Sequence, residues 1–189
     1  MSALPWPDHL VTFDEWKALP EDNQFRVEVV EGVLIVSPRP LSLHQRAISR
    51  LCNRLDEQLP TRFSALAEVE VVITASPLLT VRIPDVVVVG TELADNNSAR
   101  YKPSDLSLAV EVLSKGSVRT DKVTKFAEYA EEGVANYWIV DLDAPVSLLR
   151  YHLIGGEYEL FGEHTGTVTV ELDGNPITLD LDALVTRRP

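Results

Sequence analysis

The chain has 189 residues, 45% hydrophobic and 24% charged, with 29 acidic against 17 basic side chains and a net charge of −12. That balance excludes a chain disordered throughout, and the length suits one domain over residues 1–189, able to bury about 70% of its unfolded surface without a disulfide or structural metal. Cys52 is the only cysteine, so an intrachain disulfide, a CxxC redox pair and a cysteine-built zinc site are excluded.

No basic segment precedes a hydrophobic run at the start, and no apolar stretch approaches the roughly 20 residues that span a bilayer. The chain is therefore expected in the cytoplasm, without a membrane partner.

Thr12 and Glu15 form a capping-box pair, and Phe13, Trp16 and Leu19 follow at helical spacing up to Pro20. Phe25 to Val30 and Val33 to Ser37 predict a hairpin around Glu31-Gly32. From Ser42 to Gln58, Ile48, Leu51, Cys52 and Leu55 share one helical face, and Pro60 closes the element. Phe63 to Thr74, Thr80 to Arg82 and Val86 to Val89 are predicted strands. Leu106 to Leu113 is apolar on both faces, as a central strand is. Val123, Phe126, Ala127 and Ala130 predict a helix stopped at Gly133, ahead of a strand at Tyr137 to Val140. The remainder alternates as a meander over Leu148 to Leu153, Tyr158 to Phe161 and Thr167 to Leu172, with a last helical turn at Asp180 to Val185. The pattern is mixed α+β, a β-rich sheet flanked by helices.

Phosphate-loop, dinucleotide, nucleophile-elbow and H-E-x-x-H motifs are absent, and His9, His44, His152 and His164 have no metal-ligand spacing. Carboxylates remain. Asp85 opens the Val86 to Val89 run after Pro84, and Glu111 lies inside Leu108-Ala-Val-Glu-Val-Leu113. A lone buried charge costs several kcal/mol, so such groups are paired, hydrogen-bonded or bound to metal. Acids at the ends of neighbouring strands, followed by lysines on the next helix, suggest an oxygen-ligand site for magnesium with a cation beside it.

Pro84-Asp85, Glu111-Val-Leu-Ser114, then Asp121, Lys125 and Tyr129, and finally Glu132-Gly-Val-Ala-Asn-Tyr-Trp-Ile-Val-Asp141 together resemble the Uma-two family of endonucleases, within the PD-(D/E)XK nuclease superfamily. The resemblance extends over the Val27 to Val33 hairpin and the C-terminal meander. It implies a restriction-endonuclease-like core, with a central mixed sheet flanked by helices, an added N-terminal hairpin and a C-terminal β-meander. It further implies that Asp85, Glu111 and the backbone carbonyl of Val112 hold Mg²⁺ or Mn²⁺ while water attacks a phosphodiester of DNA. The superfamily lysine two residues after Glu111 is replaced by Leu113, and the family pattern moves that role to Lys125. A wheel at 100° per residue instead turns Lys125 away from the Phe126/Ala130 face and leaves Lys122 on its flank, so both lysines stay candidates.

Glu28 alternates onto one strand face with Arg26 and Val30; it is either an exposed carboxylate or a third acidic member of the site. His44 is read as a satisfied core histidine, and Arg46, Arg50 and Arg54 as a solvated face that could alternatively follow phosphates. The net acidity weighs against DNA, although a local basic groove can coexist with it. A homodimer is expected for cutting both strands of a duplex. The rival reading is a non-catalytic dimerisation or nucleic-acid-binding module that keeps the nuclease fold.

Overall fold

The computed structural model of the chain describes residues 7–19, 25–114 and 116–186. The expectation placed on Pro20, as the stop of the first helix, lies outside them. That helix, α1 (Phe13–Ala18), has the expected capping box: the Thr12 hydroxyl accepts from the Glu15 N–H, and the Glu15 carboxylate accepts from the Thr12 N–H at 2.9 Å.

Two sheets carry the structure. The larger has six strands, β3 (Phe63–Ala67), β6 (Val86–Gly90), β8 (Leu106–Val112), β9 (Asn136–Asp141), β10 (Ser147–Ile154) and β11 (Glu157–Thr165), in the order β11-β10-β9-β8-β6-β3. Only β8 and β9 pair in parallel, so the sheet is mixed. Residues 118–131, including α4 (Lys125–Glu131), make the crossover between those two strands, and Gly133 at φ +80° ends it. Helix α2 (Ser42–Gln58) covers one face of the sheet with Ala47, Ile48, Leu51 and Leu55, against Val86, Val88, Val110 and Trp138. Helix α4 covers the opposite face, where Phe126 meets Tyr137, Tyr151 and Tyr158 edge-on at 4.9–6.0 Å between ring centres.

The second sheet has five strands, β1 (Phe25–Val30), β2 (Val33–Pro38), β4 (Glu70–Thr74), β5 (Thr80–Arg82) and β7 (Arg100–Tyr101), in the order β2-β1-β5-β4-β7. The N-terminal hairpin is built into this sheet through Val29 opposite Val81. The segment Phe63 to Thr74, expected as one strand, divides between the sheets because Glu68 turns left-handed at φ +53°. No glycine or proline in the segment announces the break. Short helix α3 (Thr91–Asp95) and β7 have no counterpart in the sequence pattern. The C-terminal meander also divides: β10 and β11 extend the large sheet, while β12 (Thr167–Leu172) and β13 (Asn175–Asp180) form a ribbon of their own. Pro176 hid β13 from a strand reading. The expected last helical turn is present as a 3₁₀ turn at Asp182–Leu184.

The arginines of α2 do not form an open phosphate track. Arg46 and Arg50 donate to backbone carbonyls of that last turn, at Val185, Ala183 and Thr186, and Arg54 pairs with Glu57 at 3.1 Å.

Candidate active site

The two sheets meet at a seam of buried charge. Asp85, one residue before β6, is 1% exposed, and so is Glu111 near the end of β8. Antiparallel pairing of β6 with β8 sets Val86 opposite Val110, which brings both carboxylates to the same end of neighbouring strands. From the small sheet, β1 contributes Arg26 and Glu28 and β5 contributes Arg82. The crossover helix contributes Asp121, Lys125, Glu128 and Tyr129.

Asp85 is fully engaged. One oxygen accepts from Arg26 at 2.7 Å, and the other accepts from the Val112 N–H at 2.7 Å with His44 Nε2 at 3.2 Å. Arg26 also donates to the Ile83 carbonyl. Burial opposes ionisation of Asp85, yet His44, Arg26 and Lys125 outweigh it and hold the carboxyl at about 2. His44 is therefore not a plain core histidine. It faces the acid that opens β6, although its Nε2 makes no well-directed hydrogen bond.

Glu111 stands differently. Lys125 Nζ lies 3.0 Å from one oxygen, and the Tyr129 hydroxyl lies 3.5 Å from the other. Burial pushes this carboxyl up to about 8, with Asp85 and Asp121 adding to the rise against the pull of Lys125. The lysine is shared: Asp121 is 3.3 Å and Glu28 3.7 Å from the same ammonium. Its three acidic neighbours raise its pKa although burial opposes that charge. Glu28 is buried, not an exposed strand acid. It accepts from the Ile83 N–H at 2.9 Å and from Arg82 at 3.2 Å, and Lys125 and Arg26 hold its pKa low against the effect of burial.

The structure thus brings Asp85, Glu111, Lys125, Glu28 and Val112 together, and leaves Lys122 exposed. The wheel is corrected. Asp121, Lys125 and Tyr129 line the buried face, Phe126 and Ala130 flank it, and Val123, expected on the apolar side, is 58% exposed. Two causes combine. The helix is covered on a second side by the strands of the seam, and its first part, Thr120–Thr124, is a π turn that breaks the 3.6-residue period ahead of Lys125. Arg26 and Arg82 were not singled out from sequence, because a strand arginine beside valines and threonine reads as a solvent-facing residue.

Five carboxylates, Glu28, Asp85, Glu111, Asp121 and Glu128, face three permanent cations, Arg26, Arg82 and Lys125, a formal −2 when all the acids are ionised. One oxygen of Asp121 is buried without a hydrogen bond. Among the described residues no three His, Cys, Asp or Glu side chains gather as a metal cage. A hard divalent ion here would be held by the Asp85–Glu111 pair with water completing its shell, the habit of Mg²⁺. Val112 suits that pair, since the N–H and carbonyl of a strand residue address the same neighbouring strand and its N–H already meets Asp85. The donor set and the charge excess fit such an ion.

The chain matches the family model described as "Uma2: Putative restriction endonuclease" over residues 12–183. In fold it is similar to a crystal structure of "a putative nuclease belonging to DUF820" from Anabaena variabilis ATCC 29413, with a TM-score of 0.71, 21% identity, and coverage of 93% of this chain and 97% of that one. No curated protein matches it in sequence. No helix among the described residues is long and apolar enough to cross a membrane. Matched over residues 12–183, nearly its whole length, the chain belongs to the Uma2 family, described as "Putative restriction endonuclease".

Proposed function

We propose that the chain is a Mg²⁺-dependent endonuclease that hydrolyses phosphodiester bonds in DNA, with Asp85, Glu111 and the Val112 carbonyl holding the ion. The observation that carries this reading is the placement of Lys125, buried at 5% exposure within 3.0 Å of Glu111, beside the ionised Asp85. When bound, the ion would lower the pKa of water and neutralise charge on the phosphate. Lys125 supplies a fixed positive charge where negative charge develops, and three carboxylates orient it. Glu28, on the opposite wall, restrains that lysine and can accept a proton from water that reaches it. Arg26 keeps Asp85 ionised, so this ligand needs no proton removed before it can bind. Arg119 and Lys122, exposed on the same crossover helix, offer charge to flanking phosphates despite the overall acidity. A two-fold dimer would present two such sites to the two strands of a duplex.

A second reading has one observation in its favour: Arg26 and Lys125 already neutralise the two carboxylates, as they would in a nuclease fold retained for nucleic-acid binding or dimerisation. Nicking of supercoiled plasmid separates the two. The expected result is Mg²⁺- or Mn²⁺-dependent nicking, abolished by Asp85→Ala and by Glu111→Ala. Equal nicking by wild type and both variants identifies a contaminant and removes the proposal.

A further inference from the structure

Among the described residues, the five-stranded sheet and the crossover helix meet through two ion pairs. One is Glu28 with Lys125, inside the site. The other is Arg82 with Glu128, outside it. Arg82 is 2% exposed, and its Nε and Nη2 donate to the two oxygens of Glu128 at 2.7 and 2.6 Å. Its Nη1 donates to Glu28 at 3.2 Å. This is the planar fork on a carboxylate that arginine can make and lysine cannot.

Glu128 follows Lys125 by three residues, close to one helical turn, so the two side chains share a flank of α4. The aromatic anchors Phe126 and Tyr129 tie α4 to the six-stranded sheet, the Glu111 side of the seam. Only the fork ties it to the Glu28 side without using a site residue on the helix. Stability gives a weak reason for burying such a pair, since an apolar replacement is often as stable. Geometry gives a stronger one: a fork with two short bonds fixes both the distance and the rotation of the helix relative to β5.

We propose that Arg82 and Glu128 are positioning residues that hold Lys125 between Glu28 and Glu111, acting through α4 and touching no reacting atom; the catalytic side of this rests on the phosphodiesterase reading above. A misplacement of about 1 Å at a catalytic group can cost about 100-fold in rate. Glu128→Gln keeps the volume and removes the charge and one of the two acceptors. Its kcat for plasmid nicking should fall by about 10- to 100-fold with KM unchanged, at a temperature where its melt shows it folded. In a Lys125→Ala background the same substitution should cost nothing further, because the group it positions is gone. Losses that multiply would overturn the proposal and leave the pair merely structural. If Glu128→Gln does not fold, Arg82→Lys, which keeps a charge beside Glu28 and loses the fork, carries the same test.

A crystal structure of the variant judges the brace without any activity. Lys125 Nζ should leave Glu111, and an ammonium still 3.0 Å from that carboxylate would overturn the proposal even if the wild type cleaves DNA. Wild-type protein inert with both metals would remove the phosphodiesterase reading instead, and the crystallographic outcome would still decide whether the pair positions the lysine.

Discussion

The two ends of the charged seam differ in a way their sequence contexts do not suggest. Asp85 directly precedes a valine-rich strand and Glu111 lies in one, and both are almost wholly buried. Around Asp85 a guanidinium, a peptide N–H and an imidazole converge, and the carboxyl is held at about 2. Around Glu111 one lysine is divided among three acids, and the carboxyl is pushed up to about 8. At the first end the negative charge is part of what holds the sheets together. At the second the fold opposes that charge and favours the protonated acid. From sequence the two acids look equivalent, repelling one another so that neutralising either should relieve strain in the absence of metal. The geometry divides that expectation: relief belongs to Glu111 alone.

The largest effect should come from Asp85. Removing one member of a buried pair leaves its partner charged and uncompensated, at a cost of about 3–5 kcal/mol. Asp85→Asn sets an amide against the Arg26 guanidinium and the Val112 N–H, so it should melt well below wild type in EDTA. Glu111→Gln should melt at or above wild type under the same conditions. Two melting temperatures displaced in the same direction would break the comparison.

Activity sharpens the contrast on the helix. Loss of one preorganised electrostatic group in a dry site costs about 10²–10³ in kcat, and Lys125→Met should show a loss of that size while keeping the buried stem. Lys122→Met, at an exposed position, should instead change KM by a few-fold at most and lose even that at high salt, since exposed charges are screened. The reverse ranking would return the catalytic role to Lys122. Metal linkage is next in size. If Mg²⁺ binds the folded chain, an ion at about 100 times its Kd adds about 2.7 kcal/mol. Differential scanning in Mg²⁺ against EDTA should show that gain in wild type and its loss in Glu111→Gln.

How far the sequence shows the site depends on the element that carries each group. Asp85 and Glu111 stand out because a charge inside an apolar strand has few innocent explanations. Lys125 does not stand out, since a π turn before it and a second covered flank defeat the wheel, and only the family resemblance points to it. Arg26 and Arg82 are invisible for a different reason. Whether a strand arginine faces water or a second sheet is decided by how two sheets meet, and the left-handed turn at Glu68, which sends β3 and β4 to different sheets, has no marker in local composition. The strand at Leu106 to Leu113, the helix after it and the strand at Tyr137 to Val140 follow directly from hydrophobic pattern; the seam between sheets does not.

The smallest predicted effect is a slope with pH, and its sign is specific. Glu111 in the folded chain titrates at about 8 against 4.5 for the free side chain, so between those values the folded state keeps a proton that the unfolded state has released. Stability must then fall as pH rises through that window. Asp85 acts in the opposite sense and elsewhere: its carboxyl, lowered from 3.8 to about 2, contributes stability above pH 4 that is lost as pH falls toward 2. The two windows do not overlap. Chemical denaturation in EDTA at pH 5, 6, 7 and 8 should therefore report Glu111, with wild type losing stability at each step and Glu111→Gln showing a flatter profile. Asp85→Asn should keep a falling slope in this window while starting from a lower value, provided it is folded at pH 5. A wild-type profile that does not fall from pH 5 to 8 would mean that Lys125 holds Glu111 ionised throughout, and the contrast between the two ends of the seam would be lost.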